Sequence, residues 1–164
     1  MARDIEKVDF EPEAVAEMAV AVTYEGYTFK DFARITDDEM EAAYSVAFNL
    51  VNQGQFEDAE KLLAWLAGLD QYEPKYLIGL GICRQQLGLF PGAIDAFVAA
   101  GVLEVANPIP ALRAAECYLA IGRSDLARSG LLAAMHWSGD KAEHAAIRQR
   151  ATALLEALDR RKEA

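Results

Sequence analysis

Histidine and cysteine are scarce, with two of each in 164 residues. His136 and His144 stand eight apart and form no HExxH pattern, so they offer no metal pair. Cys83 and Cys117 lie 34 apart. No P-loop, no GxSxG elbow and no dinucleotide fingerprint occurs. Acid pairs such as Asp37/Asp38 and Glu57/Asp58 fall where helices should begin and favour the macrodipole there. Nothing in this inventory supports an enzyme, a cofactor or a metal centre.

Excess basic charge is missing too. The chain carries a net charge of −10. The first 39 residues hold eleven acids and four bases, and only residues 142–164 are slightly basic, with four acids and five bases. No basic face is available for a phosphate backbone, which argues against nucleic acid as a partner. No apolar run approaches the roughly 20 residues needed to span a bilayer, so direct membrane insertion is not expected. The opening "MARDIEKVDFEPEA" is acidic and polar, unlike a signal peptide. The expected location is the cytoplasm, where the two thiols stay reduced.

What is present is a repeat. Shifting the sequence by 34 residues aligns Gly54, Gly88 and Gly122; Ala59, Ala93 and Ala127; and Ala47, Gly81 and Ala115. The turns read "NQGQFEDA", "QLGLFPGA" and "AIGRSDLA". A 34-residue period of helix, glycine turn and helix is that of the tetratricopeptide repeat. The fold class expected is all-α: a solenoid of three such repeats over residues 40–141, starting at Met40, Pro74 and Pro108. Each turn glycine supplies the left-handed residue that ends the first helix. The small column at Gly81 is where the two helices of a repeat cross. A side chain larger than alanine would hold them apart. The first glycine of "IGLGICRQQLG", Gly79, has no such explanation. Cys83 and Cys117 occupy one repeat position. Stacked equivalents lie roughly 10 Å apart and a disulfide needs under about 7 Å, so both read as small core residues.

The flanks read as helices. Residues 1–39 form an N-terminal helical segment with Pro12 near a start and Gly26 at a stop. Val15, Met18, Ala19 and Val22 form a stripe that serves either internal packing or a homodimer contact. Thr36 to Glu39 has the spacing of a capping box. Residues 142–164 form a capping helix, with Asp140 and Glu143 marking its start. Ile147, Ala151, Leu154, Leu155 and Leu158 make one apolar face, and the tail "DRRKEA" should fray.

Positions 5, 9 and 12 of a repeat share the concave face. They are Tyr44, Phe48 and Val51; Ile78, Ile82 and Gln85; and Leu112, Glu116 and Leu119. Seven of these nine are apolar or aromatic, which leaves two readings. Either the groove is filled by the protein itself or a second copy, or it is a cleft for an apolar peptide. An adaptor that clamps a terminal carboxylate would need Lys and Asn where Tyr44 and Phe48 stand. A scaffold or assembly factor with an internally satisfied groove remains the alternative function.

Three stretches carry a more specific resemblance: "AAYSVAFNLVNQGQFEDAEKLL", "YLIGLGICRQQLG" and "PALRAAECYLAIG". With "VAEMAVAVTYEGYTFKDFARITDDEM" before them, they resemble the class II chaperones of type III secretion translocators, over about residues 12–160. The resemblance implies a bacterial cytoplasmic chaperone that holds hydrophobic translocators before export. It takes an extended N-terminal cargo segment in its concave groove. By position, Tyr44, Phe48 and Val51 would form the first pockets, Ile78, Ile82 and Gln85 the next, and Leu112 would extend the cleft. Val51 stands where some relatives have tyrosine, a change that would reshape a pocket. The family also tends to dimerise through N-terminal helices, and some members assist a transcriptional activator.

Overall fold

The computed structural model describes residues 11–163, with side chains described to Arg160. The expectations for the polar opening residues 1–10 and for the end of the tail lie outside the described residues. Every regular element described is a helix.

Helix α1 spans Pro12–Val20, with proline at its first turn. The sequence reads as one helix to Gly26, but the last turn widens into a π-turn over Ala21–Glu25. β-branched Val22 and Thr23 crowd this turn, and the widened ring closes through Gly26 N–H donating to the Ala21 carbonyl, which also accepts from Tyr27 N–H at 3.2 Å. Gly26 ends it with φ +77°. A short α2, Phe29–Ala33, is tied to the first helical hairpin by Lys30, which bridges Asp37 and Asp70 at 2.8 Å each.

Three helical hairpins make up the body. They are α3 (Asp37–Asn52) with α4 (Phe56–Leu69), α5 (Pro74–Gln86) with α6 (Phe90–Leu103), and α7 (Pro108–Ala120) with α8 (Ser124–Ser138). Consecutive helices pack on one another along the whole series, as in a solenoid. The three hairpin turns are built alike. Gly54, Gly88 and Gly122 take φ of +74°, +73° and +76°. At each, the next residue's N–H reaches back five residues to a carbonyl: Gln55 to Leu50 (2.9 Å), Leu89 to Arg84 (2.8 Å) and Arg123 to Tyr118 (2.8 Å). This bond satisfies a carbonyl that the helix end leaves over.

The small columns are fully buried: Ala47 and Ala115 on the first helices, Ala59, Ala93 and Ala127 on the second. Core residues Leu63, Phe97 and Leu131, also 34 apart, fill the space between hairpins and are at most 1% exposed. Each such burial contributes about 1.5–3 kcal/mol.

Helix α9, Ala145–Glu163, packs on α8 and α7. Its start differs from the one expected at Asp140. A 3₁₀ turn at Ala142–His144 without a side-chain cap leads into it, closed by His144 N–H to the Lys141 carbonyl. α9 continues the 34-residue register: buried Ala151 follows buried Cys117. Exposed Gln149 stands where Ala115 and Gly81 stand earlier. A polar residue is tolerated at that position because, among the described residues, no second helix of a hairpin crosses α9 there.

Candidate peptide-binding groove

One turn separates Tyr44 from Phe48 on α3, and one turn separates Ile78 from Ile82 on α5, so each pair shares a face. The structure brings these four together with Val51 around an open apolar cavity of about 290 Å³. Phe48 is 54% exposed, while Tyr44, Val51, Ile78 and Ile82 are half-buried.

Three further lining residues were not anticipated from the sequence: Leu63, Lys75 and Gly79. Gly79 makes the floor. A β-carbon there would stand 3.0 Å from Leu63 Cδ2, so the glycine lets α5 lie against the Leu63 side chain and keeps the cavity deep. The unexplained glycine in the sequence was its one visible signal.

Lys75 fixes the rim. Its Nζ lies 2.6 Å from a Glu41 carboxylate oxygen, 5.0 Å from the Tyr44 ring centre and 5.4 Å from that of Tyr76. The two rings are 5.6 Å apart and tilted. The hydrogen bond to Glu41 raises the Lys75 pKa. Burial is the main cause that raises the Tyr44 phenol. At neutral pH the rim therefore carries a charged ammonium beside a neutral phenol.

Gln85 lies outside this cavity. It lines a second one, of about 580 Å³, with Phe90, Leu119 and Leu154 as apolar walls and Arg113, Glu116 and Arg150 as polar rim. Glu116 is the hub. It accepts from Arg150 Nε at 3.0 Å, Arg113 at 3.3 Å and Gln85 Nε2 at 3.4 Å.

Leu112 does not extend the Tyr44 cavity. It is 8% exposed and packs with Ala115, Ala127 and Leu131 and with the apolar face of α9. Its remaining surface borders a separate hollow of about 480 Å³. The reason is the path of α9, whose Ile147 and Arg150 border that hollow.

Cys83 and Cys117 are buried free thiols, as expected of core residues, each pushed up to about 11 chiefly by burial. Among the described residues no group of three metal-ligating side chains occurs. Nor is any described helix long and apolar enough to cross a membrane. Helix α1 buries none of its residues. Its neighbourhood exposes Val15, Val20 and Tyr24, and is tethered where the Tyr72 hydroxyl donates to the Val22 carbonyl at 3.2 Å.

No protein-family model matches the sequence. Individual proteins do. The low calcium response locus protein H of Yersinia pestis is 36% identical over 138 residues, spanning 84% of this chain and 82% of that one. The Yersinia enterocolitica type III secretion chaperone SycD, solved with a peptide of the translocator YopD, superposes with a TM-score of 0.76 at 36% identity. That match covers 78% of this chain and 98% of SycD. A type III secretion complex from Aeromonas hydrophila gives a TM-score of 0.85 at 32% identity, covering 91% and 98%.

Proposed function

This chain belongs to the class II translocator chaperones of type III secretion, and we propose that its concave groove shelters an extended N-terminal segment of a hydrophobic translocator before export. One observation carries the proposal. Tyr44, Phe48, Val51, Ile78 and Ile82 converge on an open apolar cavity between α3 and α5. They do so in a fold shared with a chaperone that was solved holding a translocator peptide.

The energetics suit that task. A client that will enter a membrane exposes apolar segments that aggregate in water. Each buried aliphatic anchor contributes about 1.5–3 kcal/mol, and ordering the segment takes back about 2–5 kcal/mol. Three or four anchors leave a complex that forms readily and can be dismantled at the export machinery. Such work belongs in the bacterial cytoplasm. The uncovered apolar side of α1 supports contact with a second copy, and an alternative dimer of SycD has been solved.

Co-expression with a translocator from the same bacterium tests the reading. The translocator should become soluble and co-purify with the wild-type chain but not with Phe48→Glu. A translocator that stays aggregated with wild type, or that co-purifies equally with the variant, overturns it.

A further inference from the structure

We propose that the Glu116 cluster is a second subsite of the groove, selecting an acidic side chain in the client segment. The proposal rests on the peptide-groove reading and adds a charge preference to it.

Among the described residues lining the apolar cavity, Lys75 alone is charged, and Glu41 neutralises it. In the second cavity two arginines face one carboxylate. Arg113, Arg150 and Glu116 therefore leave one positive charge over, on a chain whose net charge is −10. A carboxylate is the partner such a spot favours.

The two arginines also keep unused hydrogen-bonding capacity. A guanidinium offers five N–H donors, and each arginine engages Glu116 through one nitrogen. Their side chains are 41% and 59% exposed, so the remaining donors are accessible. Gln85 Nε2 donates to Glu116 and helps hold the carboxylate between the two arginines.

Gln85 lies one helical turn beyond Ile82, a rise of about 4.5 Å. An extended segment advances about 3.3 Å per residue. The acidic residue should therefore fall within about three residues of an apolar anchor. The subsite needs three elements at once, α5, α7 and α9, which gives the terminal helix a part in recognition.

The test uses the full chain and an array of the YopD peptide bound by SycD. Each position is replaced in turn by Asp, Asn and Lys, and binding is read by fluorescence anisotropy. Wild type should show one position, within three residues of an apolar anchor, where Asp binds at least fivefold better than Lys, with Asn between. Arg113→Gln and Arg150→Gln should each bring that ratio near one while peptides remain bound through their apolar anchors. Arg113→Lys should keep part of the preference. Circular dichroism checks that α9 stays folded; Arg113 lies on α7, so its variants read the charge without altering α9. Equal binding of Asp and Lys at every position overturns the subsite and leaves the groove intact. So does a preference that survives the double Gln variant. Binding to wild type no better than to Phe48→Glu across the array overturns the groove reading and the subsite with it.

Discussion

A β-carbon on Gly81 would stand 2.6 Å from Cε1 of Phe97, closer than any real contact of that kind. The other two repeats carry alanine at this position, Ala47 and Ala115. The difference is set by the facing residue. Where α6 has Phe97, α4 has Leu63 and α8 has Leu131. The larger ring takes the room an alanine methyl would use. Gly81→Ala should therefore destabilise the protein by about 1–3 kcal/mol through overpacking, although alanine favours the helix by about 1 kcal/mol. Pairing it with Phe97→Leu should recover a large part of the loss in a double-mutant cycle. Urea unfolding measures both. A Gly81→Ala variant as stable as wild type would contradict the contact.

Phe48 and Leu63 border the same cavity and should respond oppositely. Phe48 is 54% exposed, so Phe48→Ala should leave stability within about 0.5 kcal/mol of wild type. It should weaken peptide binding roughly tenfold to a hundredfold, the equivalent of one lost anchor. Leu63 is 1% exposed, so Leu63→Ala should cost about 2–5 kcal/mol of stability. Calorimetry of folding and of binding separates the two. Loss of stability in Phe48→Ala would mean that the protein's own interior uses this side chain.

The repeat was legible because it is written in residues that tolerate little choice. Only glycine fits cheaply at φ near +74°, and only small residues fit the hairpin crossings. Helical spacing likewise put Tyr44 and Phe48 on one face and Ile78 and Ile82 on another. The same spacing could not foresee where a terminal helix lies. The placement of Leu112 under α9, and the reach of Arg150 to Glu116, depend on a helix with no partner to fix its path in the pattern. Lys75 was missed for a related reason. A lone lysine near a helix start reads as a solvated charge until Glu41 and two tyrosine rings are found around it. Gly79 showed in the sequence as an anomaly, and its cause is the Leu63 side chain of the preceding hairpin.

Both thiols should be silent in the folded chain. Cys83 and Cys117 are inaccessible, and burial holds each near 11, so almost no thiolate exists at pH 8. Iodoacetamide at pH 8 should label neither in native buffer, and both in 8 M urea, as read by mass spectrometry. Labelling of either cysteine at the free-thiol rate without urea would refute its assignment to the core.

The start of α3 should loosen in acid. Thr36 and Glu39 form a reciprocal cap: the Thr36 N–H and hydroxyl each donate to Glu39 at 2.9 Å, and the Glu39 N–H donates to Thr36 Oγ1 at 3.3 Å. The backbone bond from Thr36, then its hydroxyl, lower the Glu39 pKa from its ordinary 4.5. A folded-state pKa below the unfolded one means that the unfolded chain takes up the proton first. The cap's contribution is therefore complete above about pH 4.5 and is lost as pH falls through the lowered value. The stability gap between wild type and Glu39→Ala should be constant from pH 8 to 5 and shrink below 4.5. Urea unfolding at several pH values measures it, and a gap unchanged at pH 3 would refute the cap. The consequence reaches the groove, because Tyr44 and Phe48 lie within the next turns of the same helix. Acid that frays this end should weaken peptide binding before it unfolds α5 to α8, whose hairpin turns are closed by backbone bonds that do not titrate.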